Sequence, residues 1–243
     1  MGDRSQQLQS FLVSLGVQPG ERDLAPVEEA LSHTSARLGR NHERLEFLGD
    51  AVLRLAASEY LERHHPSLPV GRRSALRAQL VSDRWLAELG SSCAIEQVWR
   101  IGTAVAGDHA AQATVRAELC EALIGALYRL WGGTAGGLEP VLLWLTPHWQ
   151  RSSAELLADP HRHNWKTALQ EWSQGRGLGL PAYHCREQQP LHGHPERFGC
   201  TAELLLEPGG DPQRGEGAGP SRRAAEQEAA RALLALLRPA AGC

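Results

Sequence analysis

No run of this sequence reaches the roughly 18 consecutive apolar residues that a membrane-spanning helix requires. The first residues, MGDRSQQLQSFLVSLGV, lack the apolar centre of a signal peptide. Leu8, Phe11, Leu12 and Leu15 instead fall at helical spacing and predict a first amphipathic helix. A membrane location is not expected, and the reading is a cytoplasmic protein. Cysteine occurs at 93, 120, 185, 200 and 243, an odd number with no CxxC spacing. That argues against a disulfide framework or a cysteine-rich zinc site, and predicts buried or incidental thiols in a reducing compartment. The 11 histidines include no HxxxH pair, so a histidine-held zinc is not expected either. A net positive charge is missing too: Lys+Arg 25 against Asp+Glu 28 leaves −3. Binding of nucleic acid through bulk charge is thus excluded, but not binding through a local basic patch, which acts within a Debye length. Lysine is almost absent, with Lys166 the only one, and neither internal repeats nor low-complexity tracts occur.

What remains is an ordinary globular composition, 42% hydrophobic and 22% charged, in 243 residues, with room for two domains. Up to about residue 147 the pattern is helical almost throughout. Apolar periodicity recurs in 45–61, 75–90 and 115–131, with breaks expected at Pro66, Pro69, Gly71, Gly90 and Gly132-Gly133. Residues 148–162 are polar and His-rich and predict a linker carrying at most a short helix. From 163 to 240 the pattern changes. NWKTALQEWSQGRG predicts a helix capped by Asn164, and PAYHCREQ and RFGCTAELLLE predict strands. A third short strand is expected at 212–217, before a helix that Ser221 caps. This α-β-β-β-α order predicts a small α+β domain with both helices on one face of its sheet.

Two clusters of acid stand out in the helical part. In NHERLEFLGDAVL, Glu43, Glu46 and Asp50 lie at i, i+3 and i+7. At about 100° per residue their carboxylates gather within an arc of roughly 60°. Leu45, Leu48, Val52 and Leu55 occupy the other side and are expected to face the core. In VRAELCEALIGALYRLW, Glu118 and Glu121 share a face of a helix that is otherwise apolar nearly all round, with Arg116 not placed opposite them. Burying such charges requires partners or a cation. Two carboxylate-bearing helices suit oxygen-only binding of a hard cation such as Mg²⁺, the usual assistant of phosphate chemistry. Phe47 projects beside the acids and away from the leucine stripe, as an interface residue would.

HERLEFLGDAVL closely resembles the signature of the bacterial ribonuclease III family, endonucleases of double-stranded RNA. The likeness extends to ALSHTSA before it, to LRAQLVSDRWLAELG after it, and to ELCEALIGALY as the second acidic motif. NWKTALQEW, PAYHC and GPSRRAAEQEAA resemble the family's double-stranded-RNA-binding domain. The resemblance implies a mainly α protein, with an all-α catalytic domain at 1–147 and the binding domain at 163–240. It implies that Glu46, Asp50, Glu118 and Glu121 ligate Mg²⁺, with Mn²⁺ a possible substitute. Asp50 and Glu121 would be active-site residues and Glu43 a supporting carboxylate. At Glu118 the family most often has Asp, one methylene shorter. The resemblance further implies a homodimer into whose partner Phe47 inserts, and cleavage that leaves 5′-phosphates and short 3′ overhangs. The implied substrates are ribosomal RNA precursors and some mRNAs and tRNAs.

A duplex RNA presents phosphates and 2′-hydroxyls rather than base edges. Gln170 and Glu171 on the first helix of the second domain, and His194 in the loop before Phe198, suit the two minor grooves. Arg222 and Arg223, at a capped helix start, suit the phosphates between them. PLHGHPERF departs from the Gly-Pro-His order common in that family loop. From His163 onward acidic and basic residues balance, so binding would depend on placement. Trp165 and Trp172 are expected to pack rather than stack on bases, which a duplex does not offer. The rival reading is a non-catalytic RNA-binding or ribosome-associated protein on the same scaffold.

Overall fold

The structure, a computed structural model, describes residues 2–158, 164–191, 194–207 and 209–237. The chain forms two compact units, 1–155 and 156–243. The first is helical: α1 (Gly2–Ser14), α2 (Ala25–Ala30), α3 (Glu43–His64), α4 (Val70–Leu80), α5 (Asp83–Ser92), α6 (Thr103–Ala106), α7 (His109–Leu130) and α8 (Leu138–Ala158). Leu8, Phe11, Leu12 and Leu15 are buried, as the spacing of the first helix predicts. At its centre α3 packs on α7, and α5 covers another side of α7.

Two glycines make the α3–α7 crossing possible. A Cβ added to Gly49 would run into the backbone carbonyl of Glu121, and one added to Gly125 into that of Leu45. With only hydrogens there, the two backbones touch. This crossing turns the core face of α3 away from the expected stripe. Leu45, Gly49, Val52, Leu53, Ala56 and Ala57 are buried, whereas Leu48 is half-buried and Leu55 is 50% exposed. Leu55 therefore joins Phe47 and Ala51, at i, i+4 and i+8, in an apolar stripe open to solvent.

Three expected interruptions are absent. Gly71 and Gly90 lie inside α4 and α5, and the 75–90 periodicity is divided instead at Ser82, which accepts from the Trp85 N–H at 3.3 Å as an N-cap. Gly90 is enclosed by Cys120 and Arg116 of α7, so it serves helix packing rather than a turn. Residues 148–158, expected in a linker, continue α8, while 159–162 lie outside the described residues. The helix persists because the buried stripe of Trp144 and Leu145 continues into that polar stretch through Trp149 and Ser153. Trp149 Nε1 donates to the Leu80 carbonyl (3.1 Å), and Ser153 Oγ meets the buried Tyr60 hydroxyl (2.8 Å). Pro147 removes the donor for the carbonyl of Leu143, an exposed residue.

The second unit runs α9 (Trp165–Gln174), β1 (Ala182–Glu187), β2 (Phe198–Leu204), β3 (Gln213–Gly219) and α10 (Arg222–Leu237). Its sheet is an antiparallel meander in the order β1-β2-β3. Along β2, Cys200, Ala202 and Leu204 alternate inward onto Ala168, Leu169 and Trp172 of α9 and Ala225, Ala229 and Leu233 of α10. Gly215, Gly217 and Gly219 of β3 leave no side chains in the way of α10, whose backbone near Ala229 fills that space. Asn164 holds the N-cap position of α9, but its carboxamide accepts from Thr167 Oγ1 (2.9 Å) rather than from a backbone N–H.

One expectation about cysteine is corrected here. Cys185 and Cys200 face each other in the β1–β2 register, Cα–Cα 4.0 Å, and form a disulfide. Strand register, which no CxxC search detects, creates this pair. Cys93 and Cys120 are free thiols; burial pushes the Cys120 thiol well up from its ordinary range, as an inert core residue. Cys243 lies outside the described residues.

Candidate active site

The carboxylates arise from two helix faces that the glycine crossing lays together. Glu43 and Glu46 occupy the first turn of α3, where the partial positive charge of the helix start favours anions. Asp50 follows one turn later. On α7, started by Asp108 accepting from the Ala110 and Ala111 N–H groups, Glu118 and Glu121 are likewise one turn apart.

Crowding is felt most at Glu121. Burial, then the charges of Asp50, Glu46 and Asp83, push its carboxyl up from an ordinary 4.5 to about 7, with Arg54 opposing weakly. Glu46 is also raised, by burial and by Glu118 and Glu43, against a lowering by His42. Glu118 behaves oppositely. Hydrogen bonding to His42, and lesser contributions from both histidines, hold it below its ordinary value despite burial. Asp50 has its own partner, because Arg54 reaches back one turn and donates to both of its oxygens (2.9 and 3.1 Å).

The structure thus brings Glu46, Asp50, Glu118 and Glu121 to one place, with Glu43 at its exposed edge, close enough to act on Glu46 and His33. It does not close the four onto one point. Among the described residues, the acid-containing group whose ligand atoms all lie within 4.8 Å of one another is His33, His42 and Glu118. Glu118 Oε2 stands 3.3 Å from His33 Nε2 and 3.6 Å from His42 Nε2, and His42 Nε2 stands 3.2 Å from Glu46 Oε2. Glu118 thus meets both imidazoles. Glu118 and Glu121 are half-buried rather than enclosed, and the partner of Glu118 is histidine from outside the helix; Arg116 is committed to Glu96 at 2.6 Å.

Four contributors escape sequence reading. His33 and His42 lie within or beside motifs already singled out, yet their nine-residue separation has no metal-ligand spacing. Arg54 carries a readable signal, the i+4 relation to Asp50. Asp83 has none, since only the packing of α5 on α7 brings its charge near Glu121. One hollow of this unit, about 1120 Å³ and lined by Phe11, Cys93, Trp144 and His148 among others, includes none of the carboxylates. Among the described residues, no helix is long and apolar enough to cross a membrane.

In the second unit, Gln170 and Glu171 are exposed on α9. His194 sits in the turn before β2, its Nδ1 accepting from the Glu196 N–H (3.1 Å); residues 192–193 beside it lie outside the described residues. Ser221 Oγ accepts from the Ala224 N–H (3.2 Å), so the expected cap of α10 is present. Arg222 and Arg223 follow it, both exposed, with Arg222 Nε 3.8 Å from Glu226. Trp172 is buried in the core, and Trp165 packs against that core as expected.

A helical unit with facing acids, followed by a helix-flanked three-stranded sheet, defines a nuclease-type domain joined to an RNA-binding module. Residues 24–137 match the Ribonuclease-III-like family, and 165–237 match the double-stranded RNA binding motif. The chain is 51% identical over 208 residues to Ribonuclease 3 of Prochlorococcus marinus, covering 86% of this chain and 80% of that protein. It is 39% identical over 229 residues to Ribonuclease 3 2 of a Synechocystis species, covering 93% and 90%. Among solved structures it resembles the nuclease domain of ribonuclease III from Campylobacter jejuni, with TM-score 0.51 and 28% identity over 58% of this chain and 96% of that one. The chain belongs to the ribonuclease III family. Its class of activity is endoribonuclease.

Proposed function

We propose that this protein is an Mg²⁺-dependent endonuclease of double-stranded RNA. It acts in the cytoplasm as a homodimer, on ribosomal RNA precursors and on some mRNAs and tRNAs. The observation that carries this reading is the crowding at the α3–α7 crossing, where Glu121 keeps company with Asp50, Glu46 and Asp83 at the cost of an ordinary pKa. A fold without use for a cation gains nothing from that arrangement. The donors are oxygens of carboxylates, the set that suits a hard cation, so Glu46, Asp50 and Glu121 fit Mg²⁺. Glu118 completes the set only by leaving His33 and His42. When bound, Mg²⁺ supplies an activated water and neutralises charge on the phosphate.

The side chains divide the remaining work. Glu121, once ionised, and Asp50, once released by the exposed Arg54, hold the reacting region together. Arg54, no longer engaged, would leave an exposed cation beside the carboxylates. Glu43 adds negative potential at the edge. Gln170, Glu171 and His194 meet the minor grooves, and Arg222 and Arg223 the phosphates between.

The test is labelled duplex RNA incubated with purified protein, with Mg²⁺ or with chelator. Scission of both strands only with the cation, giving 5′-phosphate ends and short 3′ overhangs, is expected. Tight binding without scission under every cation condition would contradict it and support the non-catalytic alternative.

Phe47 is 86% exposed, and with Ala51 and Leu55 it forms an apolar stripe beside the acids. The Campylobacter jejuni domain is described as having a region involved in dimer formation. We assign this stripe to the homodimer contact. Phe47→Ala is expected to weaken dimerisation by about 2–4 kcal/mol, as loss of a buried aromatic anchor does. Sedimentation at low concentration checks this, and an unchanged dimer would remove Phe47 from the interface.

Changing both Arg222 and Arg223 to Ala is expected to weaken binding equally for duplexes of any sequence. The slope of log affinity against log salt should fall by about 1–2, as two phosphate contacts and their counterions are lost. Filter binding across a salt series measures it. A sequence-dependent loss would assign the arginines another role.

A further inference from the structure

The cluster of His33, His42 and Glu118 has a chemistry different from that of the neighbouring acids. It offers two imidazole nitrogens and one carboxylate oxygen, all three ligand atoms within 4.8 Å of one another. Two ligands about 2.1 Å from one tetrahedral metal stand about 3.4 Å apart. Glu118 Oε2 is 3.3 Å from His33 Nε2 and 3.6 Å from His42 Nε2. The rings themselves tilt together with centroids 4.9 Å apart.

The surroundings are those of a prepared site. His42 is 2% exposed and presents Nε2 toward the two carboxylates of Glu46 and Glu118. Its Nδ1 is buried without a hydrogen-bond partner among the described residues, so the ring makes its polar contacts through Nε2 alone. His33 Nδ1 lies 2.7 Å from Ser35 Oγ, which is fixed in turn by the Gly102 N–H at 2.8 Å. His33 Nδ1 also accepts from the Ser35 N–H (3.2 Å), so the neutral ring carries its proton on Nε2 toward Glu118, and a divalent ion binding there would take the place of that proton.

We propose that His33, His42 and Glu118 form a second cation site, selective for a divalent transition ion of the Mn²⁺ or Zn²⁺ class. Imidazole nitrogen binds such ions and leaves Mg²⁺ to the carboxylates. Glu118 is the shared member: engaged with the imidazoles it is withdrawn from Glu46, Asp50 and Glu121. The extra methylene of Glu, relative to Asp, is what lets one carboxylate serve both places. This rests on the proposed carboxylate site only for the idea of sharing; the nitrogen site stands on its own geometry.

The probe is Mn²⁺ alone, read by pulsed electron paramagnetic resonance, in which a coordinated imidazole imposes ¹⁴N modulation on the echo. The full-length wild-type protein with one equivalent of Mn²⁺ is expected to show that modulation, and to keep it in excess Mg²⁺. Glu118→Asp, which withdraws the carboxylate from the rings, is expected to weaken the nitrogen-coordinated site about tenfold or more, one ligand being worth at least 1.4 kcal/mol. Because His42 is buried and its replacement could unfold the protein, His33→Gln serves as the second variant and should reduce the modulation. Mn²⁺ bound through oxygen alone, or not bound, would overturn the proposal and leave the carboxylate reading intact. Nitrogen-coordinated Mn²⁺ in a protein that cuts no RNA with Mg²⁺ would do the reverse.

Discussion

Replacing Glu121 with Gln is expected to abolish strand cleavage and leave duplex binding unchanged. The amide keeps the shape of the side chain and removes the charge that Asp50 and Glu46 share a cation with in the proposed site. The loss should reach about 10³-fold, the scale on which one group acting on transition-state charge is felt. The same variant tests the electrostatics without RNA. With a folded pKa of about 7 against an ordinary 4.5, folded Glu121 holds a proton between those values that the unfolded chain has released. In cation-free buffer this contribution to stability is therefore full below about 4.5, is lost as pH rises toward 7, and is absent above. The melting temperature of the wild type should fall across that window and recover on adding Mg²⁺ at pH 8. Glu121→Gln should lack the fall and, at pH 8 without cation, melt above the wild type. A wild-type melting temperature flat from pH 5 to 8 would deny the crowding on which the proposed site is built.

Gly49→Ala is expected to be the most damaging conservative change in the helical unit. In an open helix interior this substitution stabilises by about 1 kcal/mol through backbone entropy. Here the new methyl group meets the Glu121 carbonyl, a backbone atom that cannot rotate aside. The helices must separate, at a cost near the upper end of the overpacking range, about 3 kcal/mol. Gly125→Ala should act alike from the other side, against Leu45. Gly71, with nothing within 4 Å of its added Cβ, is the control: Gly71→Ala should be neutral or mildly stabilising. Urea midpoints measure all three. Cleavage should fail in the first two even where the protein still folds, because the acids of α3 and α7 no longer face one another. Wild-type activity in Gly49→Ala would show that the crossing does not set the site.

The order of elements was largely readable because it rests on local pattern. Leucine spacing announces α3 and α7, and the strands of the small sheet lie close to the segments read for them. What escaped depends on contacts between elements. Leu55 has the period of a core residue on an isolated helix, but the glycine-centred crossing rotates it outward. Gly90 looks like a break and is a packing surface for Cys120. The polar segment after Pro147 conceals a stripe whose partners, Leu80 and Tyr60, lie far away in sequence. At the candidate site the acids were visible as two helix faces. The destination of Glu118 was not, because two histidines distant in sequence meet it. Cys185 and Cys200 were invisible as a pair for a like reason, being joined by strand register.

Single-turnover cleavage at saturating duplex, in low salt with Mg²⁺, tests the account most directly when three proteins are compared. Wild type should cut. Arg222→Ala with Arg223→Ala should cut at nearly the wild-type rate, since its deficit lies in binding and saturation removes it. Glu121→Gln should bind fully and not cut. A double arginine variant as inactive as Glu121→Gln while binding normally, or a Glu121→Gln protein that cleaves like wild type, would contradict the assignment of cleavage to the carboxylates of α3 and α7.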